Sequence, residues 1–462
     1  MDFLTDPVFW SRFQFGLTTS FHICWSSMSV GTAVFLVIME AAWLKTGNDD
    51  YYRHTKFWGK LFLLIFAIGV VSGIPLSVQF GTNWEKFSAA TGGFFGHLLG
   101  FEAAMAFMLE SAFLGIMLLG WNRVSKPVHF FSTVMVLFGA SLSVFWIMVA
   151  NSWMQTPAGV TFENNRIVVN DYLAAIFNPD WFLGFSHMWV ACLEASLFVI
   201  GGISAWKILN GRGVALFRKS FMIAAGLAIV IAPLQFLLGD ASGRMIAKHQ
   251  PAKLAATESH WETNPAGEPA AWNAIAWPDR ENQKNAFQIQ IPYGLSLIIT
   301  RSFTGQVKGL SEFPKDEQPP ILIPFYAFRI MMGIGFGLIA LALVTIWLWF
   351  KGRLRTDKIA EQKKVLFLWV CTVPLGYIAI VTGWMTREVG RQPWTVYGLL
   401  RTKASATPLP LGAVGSTVFM YTAIYTVLFL LFIYLAAKVL AGDPAADTVP
   451  SISPKEAGHG SK

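Results

Sequence analysis

Long apolar runs recur along almost the whole chain, and they constrain its fold more than any other feature. A helix needs about 20 apolar residues to cross the hydrocarbon core of a bilayer. Nine runs reach that length: 15–44, 57–80, 95–121, 128–150, 182–208, 220–240, 321–350, 365–387 and 411–441. Because lipid offers no hydrogen-bond partners, each run must be helical. The sequence therefore predicts an all-α, polytopic membrane protein with about nine transmembrane helices.

Composition excludes a soluble globule. The 462 residues are 54% hydrophobic and 13% charged, which leaves too little polar surface to cover a soluble protein of this size. We expect one helical bundle over residues 1–441 and a disordered cytoplasmic tail over 442–462. The start of the chain, MDFLTDPVFW, is polar and lacks the pattern of a cleavable signal, so we expect the first span to be retained.

The basic residues indicate how the bundle is oriented. The net charge of +8 could suggest nucleic acid, but the chain has no basic stripe beside exposed aromatic residues. Instead, alternate connections carry the basic residues: Lys45, Arg53, Lys56 and Lys60; Arg123 and Lys126; Lys207, Arg212, Arg218 and Lys219; and Lys351, Arg353, Arg355, Lys358, Lys363 and Lys364. The positive-inside rule makes these four connections cytoplasmic, with the N-terminus outside and the C-terminus inside.

One connection on the predicted outer side, residues 241–320, is far longer than a link between helices requires. About 2–8 residues suffice for such a link. A connection of this length is usually functional, so we expect it to contribute to a binding site.

Ionisable residues inside apolar spans are costly and therefore point to function. Seven of those in or at the end of a predicted span are singled out: His22, Glu102, Glu110, His187, Glu194, Arg329 and Glu388. Five lie within about two turns of the outer end of their helix, at roughly 1.5 Å per residue: His22, Glu102, His187, Arg329 and Glu388. They are expected to form one layer.

Each of these residues also has an ordinary structural explanation. A single intramembrane histidine is more often hydrogen-bonded between helices than bound to a metal, and a methionine such as Met331 is usually a packing residue. Yet imidazole and thioether together make a six-coordinate, low-spin heme, and His187 and Met331 lie at matching depth. Glu102 and Glu110 are about 12 Å apart along a helix axis. That spacing suits either a proton relay or a structural pair of protonated carboxyls.

Several stretches together resemble the first subunit of cytochrome bd-type quinol oxidases, over nearly the whole chain apart from the tail. They are SRFQFGLTTSFH (11–22), KFWGKLF (56–62), QFGTNWE (79–85), FEAAMAFMLES (101–111), VANSWMQTP (149–157), QPAKLAATESHWET (250–263), YAFRIMMG (326–333) and GWMTREVGRQPW (383–394). GRQPW directly after an outer-facing glutamate is especially specific.

The resemblance implies a set of axial ligands and heme contacts. His187 and Met331 would ligate a low-spin heme b, and His22 and Glu388 would ligate the two hemes of the oxygen-reducing pair. Which of those two residues holds which heme stays open. The resemblance also implies heme propionate or heme-edge contacts for three arginines: Arg12, Arg329 and Arg391.

Further roles also follow from the resemblance. Glu102 and Glu110 match positions of the family's proton path, while Lys253 and Glu258 match positions of its quinol-binding loop. Only about 20 residues separate the IPYGLSLIITRS segment from the seventh span, so the chain resembles the short-loop, cyanide-insensitive branch. In that branch a heme b can replace heme d, and the cofactor set becomes a low-spin heme b, a high-spin heme b and a heme d or third heme b.

The function implied is that of a quinol:oxygen oxidoreductase in the bacterial cytoplasmic (inner) membrane. It would oxidise ubiquinol or menaquinol at the outer face and reduce O2 to water, generating a proton gradient without pumping. Its expected partners are membrane lipid and a second oxidase subunit (subunit II), with a small single-helix subunit as a further candidate and no nucleic acid.

Three other protein classes fit the sequence less well. A proton-coupled transporter usually has broken helices and repeated halves, and no repeat is visible. An electron-transferring cytochrome b needs paired ligands for each heme, whereas His22 and Glu388 have no obvious axial partner. A heme-copper oxidase would need more intramembrane histidines than the two well inside spans, His22 and His187.

Overall fold

Nine long helical segments form the fold. The computed structural model describes residues 2–442, apart from the side chains of Asp2 and Phe3. Within that range, nine segments are long and apolar enough to cross a membrane: Pro7–Thr46, Asp49–Gly81, Glu85–Leu119, Lys126–Gln155, Trp181–Leu209, Val214–His249, Leu322–Phe350, Lys363–Val389 and Leu411–Ala441. The predicted number of spans is confirmed. Apart from Gly442, the predicted tail lies outside the described residues.

Two of the nine segments are interrupted, and shorter helices and hairpins lie between segments. The α-helices are α1 (Pro7–Thr46), α2 (Asp49–Gly81), α3 (Glu85–Thr91), α4 (His97–Phe101), α5 (Met108–Leu119), α6 (Lys126–Gln155), α7 (Tyr172–Ile176), α8 (Trp181–Leu209), α9 (Val214–His249), α10 (Pro251–Glu258), α11 (Gly294–Thr300), α12 (Leu322–Phe350), α13 (Lys363–Cys371), α14 (Leu375–Val389), α15 (Thr402–Ser405) and α16 (Leu411–Ala441). Three antiparallel hairpins pair β1 (Val160–Glu163) with β2 (Arg166–Val169), β3 (Trp272–Asp279) with β4 (Lys284–Ile291), and β5 (Trp394–Val396) with β6 (Leu400–Arg401).

The first two helices show why the chain reverses where it does. The side chain of Asp6 accepts a hydrogen bond from the backbone N–H of Val8 at 2.9 Å and so caps the start of α1. Gly47, at φ 66°, ends α1 in the left-handed conformation that glycine adopts without strain. Asn48 then caps α2 through the N–H of Asp50. Two linking residues force α1 and α2 to pack side by side in opposite directions.

The apolar runs alone suggested continuous α-helices, but the third and eighth segments are interrupted. The third contains two π-helical stretches, Gly92–Gly96 and Glu102–Phe107. The eighth breaks between α13 and α14, because Pro374 has no N–H to donate. The sixth segment, α9, continues nine residues beyond the predicted end at 240, since 241–249 contains no proline and the next one is Pro251.

Hydrogen bonds bring the connections together at two opposite ends of the bundle. At the basic end, Lys219 pairs with Asp50, and Arg218 Nε donates to the carbonyl of Leu354. At the other end, here called the loop end, the N–H of Thr407 donates to the carbonyl of Asn83, and the N–H of Tyr397 to that of Met154. Lys126 also lies over the ring of Trp43, 4.5 Å from its centroid, so the four basic connections share one end of the bundle. Which end faces the cytoplasm stays a prediction.

The central helix of the bundle is α8, and α16 lies at its edge. In their most apolar 18-residue windows, 78% of α8 is buried but only 11% of α16. A large apolar cluster surrounds α8 and includes Phe35, Trp58 and Trp369. A second cluster, with Phe94 and Trp153, lies beneath the loop end. The buried centre of the bundle therefore includes the helix that carries His187.

Candidate functional site

His187 lies on the buried side of α8, facing α9. Its Nε2 is 3.4 Å from Nε2 of Gln235, and its Nδ1 is buried without a hydrogen-bond partner among residues 2–442. A Cβ atom at position 239 would lie 3.3 Å from Cε1 of His187, so Gly239 lets the ring approach the α9 backbone. An imidazole with so few partners has its nitrogens available for another ligand.

Met331 and His22 each lie close to a glycine on a facing helix, as His187 does. A Cβ atom at Gly383 of α14 would lie 2.8 Å from Sδ of Met331, and one at Gly73 of α2 would lie 3.0 Å from Cε1 of His22. The Nδ1 atom of His22 also lies 3.1 Å from Oγ of Ser72. In each case a glycine on the facing helix allows the candidate ligand to approach closely.

Glu388, in the last turn of α14, is the centre of a polar network at the loop end. Its Oε1 accepts hydrogen bonds from Asn151 at 2.9 Å and from Gln155 at 3.0 Å, both on α6. The guanidinium of Arg391 forms an ion pair with the same carboxylate. Glu388 is therefore held in position by α6 on one side and by the residues after α14 on the other.

A second ion pair that we did not predict supports this network. Arg387 donates to Asp180 and to Oδ1 of Asn151, each at 2.5 Å. The motif VANSWMQTP supplies Asn151 and Gln155, and Asp180 precedes α8. Asn151 and Gln155 are polar residues near the end of an otherwise apolar span. That pattern was visible in the sequence, but which carboxylate each residue meets depends on how α6, α8 and α14 pack.

The three predicted heme-contacting arginines have different environments. Arg391 is paired with Glu388. Arg329 pairs with Glu258 at 2.8 Å and also donates to the carbonyl of Thr257. Arg12 is half-buried on α1, and its guanidinium has no hydrogen-bond or ion-pair partner in the described part of the chain. Of the three, Arg12 has the most freedom to bind an added anion.

Lys253 and Glu258 project from different sides of α10, as predicted from their angular separation of about 140° around the helix axis. Lys253 is only 2% exposed, and its Nζ donates to Oε1 of Gln155 at 3.0 Å. Burial, together with the positive charge of the nearby Arg387, lowers the pKa of Lys253 to about 7. Glu258, at the other end of α10, contacts Arg329 on α12.

Glu102 and Glu110 both lie against α6. Ser143 donates to Oε1 of Glu102 at 2.8 Å. A Cβ atom at Gly139 would lie 3.0 Å from Cβ of Glu110, whose Oε1 is buried without a partner in the described residues. The π-helix Glu102–Phe107 begins at the first of these acids. Such π-bulges are often found at functional sites, and apolar periodicity does not predict them.

Helix α6 also contacts a further acid near the basic end. Glu40 of α1 accepts a hydrogen bond from Thr133 at 2.6 Å and lies 2.6 Å from Nδ1 of His129. Along α6, four positions therefore meet four acids in order: Thr133 meets Glu40, Gly139 meets Glu110, Ser143 meets Glu102 and Asn151 meets Glu388. The first and last positions are about 27 Å apart along the axis.

Comparisons with known proteins agree with this arrangement. The family model described as cytochrome bd terminal oxidase subunit I matches residues 10–444. Cytochrome bd ubiquinol oxidase subunit 1 from Bacillus subtilis is 38% identical over 439 residues, which cover 92% of each chain. Cytochrome bd-II ubiquinol oxidase subunit 1 from Escherichia coli is 33% identical, with 96% of this chain and 98% of the relative covered.

A solved structure extends the likeness to three dimensions. The bd oxidase from Geobacillus thermodenitrificans superimposes with a TM-score of 0.87 at 30% identity. The match covers 95% of this chain and 99% of the other. On the family match, these relatives and the shared fold, the chain belongs to the cytochrome bd terminal oxidase subunit I family.

Proposed function

We propose that this chain is the heme-carrying subunit of a terminal oxidase that oxidises quinol at the loop end and reduces O2 to water. In the balanced reaction, two quinols and one O2 give two quinones and two waters. The quinol protons leave at the loop end, which we assign to the outside, and the protons for water come from the inside. Charge is thereby separated without pumping, against about 2.3 kcal/mol per charge per 100 mV.

The observation that best supports this function is the position of α10. At one end, Lys253 contacts Gln155, which donates to Glu388. At the other end, Glu258 pairs with Arg329, two residues from Met331. One short helix in the long connection thus reaches the surroundings of two candidate axial ligands. A donor site in this connection would be adjacent to both.

The candidate ligands fit the hemes that the family carries. His187 and Met331 supply an imidazole and a thioether, which suit a low-spin heme b. His22 and Glu388 are single ligands on separate helices, which suits two high-spin hemes with an accessible face. Bound hemes would supply one-electron transfer and oxygen binding. We propose one high-spin heme b, with a heme d or a third heme b beside it.

The three arginines then have distinct roles in this proposal. Arg12, which forms no hydrogen bond or close ion pair in the described residues and interacts only electrostatically with Asp6, is suited to a heme propionate. Arg391 holds the carboxylate of Glu388 at the heme edge. Arg329 orients Glu258 and lies close to the low-spin heme ligand Met331.

In this proposal, carboxyl groups accept the protons and pass them on. Glu258 accepts a proton from quinol, because its carboxylate lies at the end of α10 and is fixed by Arg329. Lys253, whose Nζ donates to Oε1 of Gln155, helps to position the quinol. Glu110 and Glu102 carry protons along α6 toward the oxygen-reducing hemes.

The assembly expected around this chain follows its family. We propose a complex with a second membrane subunit (subunit II), and a single-helix subunit as an additional candidate, in a bacterial inner membrane. The donor is ubiquinol or menaquinol, and the short connection favours the cyanide-insensitive branch.

The test is to purify the complex and measure quinol-driven oxygen uptake together with reduced-minus-oxidised spectra and pyridine extraction of hemes. His187→Ala and Met331→Leu should each remove the low-spin signal while high-spin heme stays bound. Glu388→Ala should instead change carbon monoxide binding. A low-spin signal unchanged in either of the first two variants would overturn the ligand assignment, and a wild-type complex without quinol-driven uptake would overturn the function.

A further inference from the structure

The hairpin of β3 and β4, within the long connection, exposes an apolar face. Four cross-strand partners form this surface, here called the apolar hairpin face: Ile275 pairs with Ile289, and Trp277 with Phe287. Their exposed fractions are 45%, 49%, 59% and 57% in that order. If the hairpin were surrounded by water, its apolar face would be expected to pack against the rest of the protein.

The opposite face of the hairpin is polar and packs inward. Asn273 donates to the carbonyls of Glu258 and Ser259, each at 3.0 Å. From β4, Asn285 donates to the carbonyl of Ser259 at 3.0 Å, and Gln290 donates to Oδ1 of Asn273 at 2.9 Å. The amphipathic pattern is thus inverted: amide side chains hold the hairpin to α10, and the large apolar side chains point away from the protein.

The position of the hairpin shows what it faces. Tyr326, in the second turn of α12, donates from its hydroxyl to the carbonyl of Ala276 at 2.9 Å. The same part of α12 exposes Leu322, Ile323 and Ile330, as expected of a spanning helix in contact with lipid. The apolar hairpin face therefore begins where the lipid-facing surface of α12 ends.

Neighbouring residues extend the same surface, and the charges lie elsewhere. Around α11, four more large side chains are exposed: Tyr293, Leu297, Ile298 and Phe303. Asp279 and Lys284 pair across the hairpin at its tip, so the charged groups of the two strands are confined to the turn. Aromatic and aliphatic side chains bounded by charges are typical of segments at a membrane interface.

We propose that the apolar hairpin face lies in the lipid leaflet at the loop end and contacts acyl chains. It would hold the long connection down onto the membrane beside α12. This inference concerns a lipid contact and does not depend on oxidase activity, so either can fail without the other.

Site-directed spin labelling of the whole complex tests this contact. Cys371 is exposed and is first changed to Ser. A nitroxide is then attached at Phe287→Cys on the apolar hairpin face or, as the matched control, at Glu281→Cys in the hairpin turn. Each oxidised complex is placed in phosphatidylcholine nanodiscs without quinol, and the heme spectrum checks that it is folded. Collision with O2, which partitions into lipid, is compared with collision with a water-soluble nickel chelate.

We expect the ratio of oxygen to nickel collisions to be several-fold higher at position 287 than at 281. Equal ratios at the two positions would show that the face is in water and would overturn the proposal. A label at 287 that neither reagent reaches would show that another protein subunit covers the face, which would overturn it equally.

Discussion

At the scale of single residues, five of the eleven predicted functional side chains share a neighbour type that the sequence did not reveal. Each of the five lies close to a glycine of another segment, where an added Cβ would come within 3.3 Å or less. The pairs are His22 with Gly73, Glu110 with Gly139, His187 with Gly239, Met331 with Gly383 and Lys253 with Gly390. Residue types could be predicted from motifs, but these pairs depend on which helices pack together.

One of these pairs has a matched control on the same helix. Gly239→Ala should push the His187 ring away from α9, because overpacking a well-packed site typically costs about 1–3 kcal/mol. Gly243, one turn later on α9, has open space around its Cβ position. We expect reduced-minus-oxidised spectra to show a diminished or shifted low-spin heme band in Gly239→Ala and a wild-type band in Gly243→Ala. Identical spectra for the two variants would mean that Gly239 does not position His187.

At the scale of helices, the number and approximate position of the nine spans could be predicted from apolar runs, but their interruptions could not. Apolar run length carries no information about π-helical stretches, so the change at Glu102–Phe107 was missed. The extension of α9 to His249 was also missed, because its last nine residues are polar enough to resemble a loop. Conversely, the 140° between Lys253 and Glu258 followed from helix geometry alone, and the two residues do contact different helices.

The attachment of α10 to α12 gives a prediction at this scale. Glu258→Gln keeps the size of the side chain but removes its charge and its function as a base. We expect quinol-driven oxygen uptake to fall by about tenfold or more, as general-base catalysis typically contributes at least that much. Uptake with an artificial donor that bypasses quinol should persist, and heme content should not change.

Glu312→Gln is the control for that variant, because Glu312 is an exposed carboxylate in the same connection. It should retain both activities. If Glu258→Gln lost uptake equally with both donors, the defect would lie beyond quinol oxidation.

At the scale of the whole molecule, α6 contacts acids from near the basic end to the loop end. The about 27 Å between Thr133 and Asn151 approaches the thickness of the hydrocarbon core, which is about 30 Å. Sequence reasoning found two of the four acids, Glu102 and Glu110, as a pair, and Glu388 separately as a ligand. Sequence reasoning could not place these acids along one line, because what they share is contact with α6, which is not the helix that carries any of them.

A proton path along α6 predicts that Glu110→Gln slows oxygen reduction without altering heme content. The amide has nearly the same shape but cannot pass on a proton, and loss of one such group typically slows a reaction by about 10²–10⁴-fold. Oxygen uptake and heme spectra of the purified complex are the measurements. Glu194→Gln, which alters a buried carboxyl of α8, is the control and should keep its rate. Wild-type turnover in Glu110→Gln would leave the Glu102 and Glu110 pair with a structural role only.

The two attachments of α10 also link the donor and acceptor sides of the enzyme thermodynamically. A molecule that binds against Glu258 and shifts α10 must also shift Gln155 and hence the carboxylate of Glu388. Coupling free energies between two binding sites are reciprocal. If an inhibitor of quinol oxidation changes the affinity for carbon monoxide by some factor, carbon monoxide must change the affinity for that inhibitor by the same factor. In this chain, the eight residues of α10 would carry that allosteric coupling.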